Sequence, residues 1–96
     1  MVPGFPTTCL ITAASNNSLD LVKLLLKHQA QVNQADGFKS TALMAAAGKG
    51  NKEMVELLLG SGADVKAKDE DGKDALALAK ESGNQEVIAL LEQRQK

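Results

Sequence analysis

Nucleophilic or imidazole chemistry rests on two side chains here, one cysteine and one histidine, Cys9 and His28. A single imidazole cannot supply the paired histidines common in zinc sites, and it leaves only one residue that could be the base of a Cys–His or Ser–His–Asp arrangement. His28 falls in the last turn of an expected helix, where a positive charge complements the helix dipole. Cys9 falls at a helix N-terminus, a position that can lower a thiol pKa. Its counterparts further along the chain are Ala42 and Ala75, so the position asks for a small residue. The run Gly37-Phe38-Lys39-Ser40-Thr41 has the flavour of a phosphate loop, but it lacks the upstream glycine, the Gly-Lys pair and a preceding strand. Asn16-Asn17-Ser18 matches a glycosylation sequon, a common chance match. The acids Asp69, Glu70, Asp71 and Asp74 read as a solvated turn or as a surface for a basic partner. These residues assign no catalytic group, no metal site and no cofactor.

The elements that would position such groups are set by repetition. Gly4-Phe5, Leu10, Ala13-Ala14, Leu24-Leu25-Leu26, Ala30 and Val32 return 33 positions later as Gly37-Phe38, Leu43, Ala46-Ala47, Leu57-Leu58-Leu59, Ala63 and Val65. A weaker third copy follows at the same offset, with Ala75-Leu76 and Leu90-Leu91. A fixed period of this length marks a stacked repeat protein, an architecture built for recognition surfaces.

The second copy is the clearest. Thr41 is a good N-cap for a short helix over Ala42–Ala47, and Gly48 and Gly50 are expected to stop it. Asn51 can cap a longer helix over Lys52–Ser61, with Met54, Val55, Leu57, Leu58 and Leu59 forming its apolar face. Gly62 follows, where a left-handed residue is needed. Neither helix can bury its apolar face alone, so each copy must be covered by its neighbour.

Read together, the segments Thr8-Cys9-Leu10-Ile11-Thr12-Ala13, Thr41-Ala42-Leu43-Met44-Ala45-Ala46 and Asp74-Ala75-Leu76-Ala77-Leu78-Ala79, with Gly62-Ala63-Asp64-Val65, resemble the ankyrin repeat. The resemblance implies an all-α solenoid of three stacked helix-turn-helix units with projecting β-turn or hairpin loops. It makes residues 1–96 one domain, with repeats at about 4–36, 37–69 and 70–96, the last a C-terminal cap. The sequence departs from the family pattern in several places. Cys9, Ala42 and Ala75 stand for its proline. Ile11, Met44 and Ala77 stand for its histidine, which removes a polar link between repeats. Pro6 and Lys39 stand for the turn glycine kept at Gly72, so the first two loops are expected to turn differently. Gln29 stands where Gly62 does, and Asn17 stands where Gly50 and Gly83 do.

Carried over by position, the resemblance implies partner contacts through the fingers and short-helix ends: Phe5, Thr7, Ser15, Asn16, Phe38, Ser40, Lys49, Glu70, Asp71 and Lys73. Phe5, Phe38 and Asp71 would form one column across three fingers. The two rings could be exposed anchors for a partner or could pack sideways against the next loop, and both readings stay open at this point.

Composition narrows the partners. Net charge is −1 and no basic stripe accumulates, which argues against nucleic acid. No apolar run approaches a membrane span. There is no signal peptide pattern, and the single cysteine fits a reducing compartment, so a cytoplasmic protein is expected. The expected function is a protein-interaction module or scaffold and not an enzyme. The alternatives are a regulatory or inhibitory module cut from a larger protein, or a self-associating unit. Self-association would use the apolar first repeat, where Leu10, Ile11, Leu19, Leu21 and Leu24 leave few charges to shield an end. The same feature fits a fragment of a longer array or an engineered chain.

Overall fold

The computed structural model describes residues 7–28 and 31–95, with side chains described within 9–28 and 31–94. Six helices follow in order: α1 Thr7–Ser15, α2 Leu19–Lys27, α3 Ala42–Lys49, α4 Lys52–Gly60, α5 Ala75–Ser82 and α6 Gln85–Gln95. They form three antiparallel pairs, short helix then longer helix. The short helices α1, α3 and α5 pack side by side in one layer, and α4 and α6 pack together in the second. No strand occurs among the described residues; the connections are turns.

Small residues let the short helices approach closely. Ala13 and Ala14 of α1, Ala42, Ala46 and Ala47 of α3, and Ala75 and Ala79 of α5 are all buried, so backbones meet where larger side chains would hold them apart. Leucine, valine and methionine fill the space between the layers: Leu43, Met54, Val55, Leu58, Val87 and Leu91 are fully or almost fully buried. Each such side chain contributes about 1.5–3 kcal/mol on leaving water.

The helix ends follow local rules. The Thr41 side chain accepts from the Met44 amide at 3.3 Å, Asn51 from Met54 at 3.2 Å, Asp74 from Ala77 at 2.9 Å and Asn84 from Val87 at 3.1 Å. In each case a free amide of the first turn is satisfied. Ser18, the equivalent residue before α2, makes no such bond. Gly48 does not stop α3: the helix runs through it to Lys49 and ends at Gly50, whose φ of 73° only the second glycine supplies. Asn17 takes the same left-handed conformation in the first pair, at φ 59°. Gln29, which stands where Gly62 does, lies outside the described residues.

The loops before α3 and α5 are built alike, against the expectation that they turn differently. Asp36 Oδ1 accepts from the amides of Phe38 (2.8 Å) and Ser40 (3.0 Å), and Asp69 Oδ1 accepts from those of Asp71 (2.9 Å) and Lys73 (3.0 Å). The Lys39 amide donates to the Asp36 carbonyl and the Gly72 amide to the Asp69 carbonyl, each at 3.0 Å. Lys39 adopts φ 63° beside φ 79° at Gly72. The aspartate clamp holds the turn, and the lysine accepts a left-handed backbone at a cost of about 1–2 kcal/mol.

Candidate functional site

The loops 36–40 and 69–73 stand beside one another as two fingers. The Glu70 amide donates to the Phe38 carbonyl at 3.1 Å, which fixes their relative position. Beneath them the inner faces of α1, α3 and α5 form a floor. Finger and floor enclose an open hollow of about 300 Å³ lined by Ile11, Ser15, Asp36, Ser40, Met44, Ala45, Asp69 and Leu78. Its base is apolar and its finger side carries two aspartates. Both Asp36 and Asp69 use Oδ1 to hold their own turns, so they shape the hollow as well as charging it.

A second hollow, about 650 Å³, opens where the helix pairs turn. Ser15, Asn16, Asn17, Lys49, Gly50, Asn51, Lys52, Glu53 and Glu86 line it. An asparagine ladder builds this end. Asn84 Nδ2 donates to the Gly50 carbonyl at 2.8 Å, and Asn51 Nδ2 donates to Asn17 Oδ1. Each asparagine caps its own helix and reaches the left-handed residue of the preceding pair. Lys52 Nζ and Glu86 lie 3.8 Å apart across the same joint. On the loops after the longer helices, Asn33 donates to the Gly62 carbonyl at 3.0 Å and accepts from the Asp64 amide at 2.6 Å. The repeats are thus linked by polar bonds although the family's histidine is missing from Ile11, Met44 and Ala77.

The residues expected to meet a partner divide among these places. Ser15 and Ser40 line the finger hollow; Ser15, Asn16 and Lys49 line the second, and Ser15 joins the two. Phe38, Glu70 and Asp71 are exposed on the fingers and line neither hollow. Phe38 is 65% exposed and makes no part of the core, so its ring is not packed away. Lys73 is engaged: its Nζ lies 2.5 Å from Glu81 at the end of α5. The hydrogen bond and the charge of Glu81 raise the Lys73 pKa, with smaller help from Asp71 and Asp69. Phe5 lies outside the described residues, as does the side chain of Thr7.

Ile11, Asp36, Met44, Ala45, Asp69 and Leu78 also line the finger hollow, and the sequence reading did not place them there. The period held a signal for them. Ile11 and Met44, Asp36 and Asp69, and Ala45 and Leu78 are three pairs spaced by 33 residues. Met44 belongs to the core and to the hollow alike: it is 3% exposed, yet at the hollow's floor.

Among the described residues no three His, Cys, Asp or Glu side chains cluster as metal ligands, and no helix is long and apolar enough to cross a membrane. No curated protein matches the chain. A family model described as ankyrin repeats (3 copies) matches residues 10–96. Ankyrin repeats generally act as protein–protein interaction modules and are typically not enzymes. Three helix pairs in register, fingers over a floor of short helices and this match lead to one conclusion: the chain belongs to the ankyrin-repeat family.

Proposed function

We propose that this chain binds another protein through its fingers and the floor of short helices beneath them, with Phe38 as the apolar anchor. The observation that carries this reading is Phe38 itself. It is a large apolar ring, 65% exposed, on a finger whose Asp36 and Ser40 line the adjoining hollow. A ring that the fold does not bury gains most by being buried in an interface, and aromatic residues are enriched among the side chains that dominate binding energy.

Charge refines the partner. Glu70 and Asp71 are exposed beside Phe38, while the Lys73 charge is taken up by Glu81. The finger beside Phe38 therefore offers two acids, against the one exposed Lys39 on Phe38's own finger, and favours a partner that pairs an apolar side chain with basic residues. Lys49, with Ser15 and Asn16, adds polar contacts at the second hollow, whose lining also carries Lys52, Glu53 and Glu86. The half-buried lone Cys9 suits a reducing, cytoplasmic setting. A regulatory module of a larger protein would use the same surface.

The test is affinity capture from a cell extract with wild type and Phe38→Ala side by side. A partner retained by wild type and lost by the variant, with the helical circular dichroism of both unchanged, supports the reading. Equal capture by both removes Phe38 from it.

A further inference from the structure

Residues 33 apart hold equivalent places in the stack, so their burial can be compared directly. Leu21, Met54 and Val87 form one series, and Leu24, Leu57 and Leu90 form another. Met54 and Val87 are fully buried and Leu57 and Leu90 half-buried, but Leu21 and Leu24 are 45% and 50% exposed. The opposite flank of these helices behaves differently. Where α2 has Leu26 and Leu19, α4 has Leu59 and Lys52, and α6 has Glu92 and Gln85. The last pair therefore presents polar groups outward, while α2 presents two leucines one helical turn apart. A single exposed leucine needs no explanation. Two of them on the flank that is covered in both other copies point to a cover.

We propose that this flank of α2 is covered by the same flank of a second copy of the chain, antiparallel about a two-fold axis. Head-to-tail stacking of copies fits poorly, because it would press Glu92 and Gln85 onto Leu24 and Leu21 and bury a carboxylate against apolar surface. A self-complementary contact instead sets leucine on leucine. The charges of α2 select the direction. Asp20 lies in its first turn and Lys27 in its last, both exposed and both beside Leu24 on the helix surface. Antiparallel helices bring each Asp20 next to Lys27 of the other copy, twice per dimer. A parallel pair would leave Asp20 level with Asp20. The helix dipoles also oppose in the antiparallel arrangement. This contact is independent of the fingers and leaves Phe38 accessible.

Sedimentation equilibrium of the full chain from about 5 to 500 µM tests the dimer. A contact of one helix flank is small, so the expected dissociation constant is about 10–100 µM. Leu21→Gln with Leu24→Gln should give a monomer throughout, with the helical signal and thermal unfolding of the wild-type monomer. Asp20→Lys alone and Lys27→Glu alone should each weaken the dimer by about threefold to tenfold. The two reversals together should restore it to within about twofold, because the pairs re-form with signs exchanged. A wild type that is monomeric over the whole range overturns the proposal. So does a dimer that survives the two glutamine substitutions, or a double reversal that fails to recover.

Discussion

In α4, Met54 is fully buried and Leu57 half-buried; in α2, their counterparts Leu21 and Leu24 are 45% and 50% exposed. The two helices share the Leu-Leu-Leu run and the preceding valine, and they differ in neighbours. The ends differ too. Asn51 caps α4 with its side chain and Gly50 holds the left-handed place before it at φ 73°, whereas Ser18 offers α2 no side-chain bond and the same place before it is held by Asn17 at φ 59°. The contrast shows that in a stacked fold burial belongs to the position in the array as much as to the residue. It follows that the stability of each pair is mostly an interface term with the next.

Substitutions should expose this asymmetry, and the largest effect should come from the core. Leu58→Ala, at a fully buried site, should cost about 2–5 kcal/mol in urea unfolding. Leu24→Ala, measured at low concentration, should cost under about 1 kcal/mol. A Leu24→Ala cost as large as that of Leu57→Ala, its equivalent in α4, would mean that this flank of α2 is covered as well as that of α4.

Next come the joints between pairs. Asn84→Ala removes the α6 cap and the bond to the Gly50 carbonyl, and about 1–2 kcal/mol should be lost; Ser18→Ala should be nearly neutral. A Cβ on Gly50 would lie 2.8 Å from Asn84 Nδ2, so Gly50→Ala should both strain the left-handed turn and displace the asparagine.

The fingers give a smaller effect of opposite sign. Lys39→Gly should stabilise by about 0.5–1 kcal/mol, because the backbone there is already left-handed, while Gly72→Ala should destabilise. A destabilised Lys39→Gly would show that the lysine side chain contributes more than its backbone costs.

The smallest effect is electrostatic. Glu81 raises the Lys73 pKa above its ordinary 10.5. The pair's contribution is therefore fully present below pH 10.5 and is lost as pH rises through the higher folded-state value. Both groups are well exposed, so the contribution is slight. Glu81→Gln should remove this step from the alkaline stability profile and leave the profile near neutral pH almost unchanged.

What could be read before folding was local. Thr41 and Asn51 as caps, Gly62 as a left-handed residue and Asn17 in the left-handed place that Gly50 and Gly83 hold elsewhere follow from side chains acting on backbone a few residues away. The error at Gly48 has the same origin: two glycines one residue apart are equal stop signals in sequence, and only the backbone turn at Gly50 selects between them. The turn at Lys39 was hidden because the Asp36 clamp and the bond from Glu70 impose it from outside the residue. The asparagine ladder and the Lys73–Glu81 pair were hidden because they form between elements that only stacking or loop closure brings together. The hollow's floor was half legible, since Ile11 and Met44 were noted for the histidine they replace and not for the surface they make.

The central claim is that Phe38 serves recognition and not folding. Its most direct test is one variant measured two ways: Phe38→Ala against wild type, for affinity toward a captured partner and for the urea unfolding midpoint. The account predicts at least about a tenfold loss of affinity, as expected for an aromatic anchor, with the midpoint unchanged. A variant that binds as wild type does, or that unfolds at clearly lower urea, would contradict it.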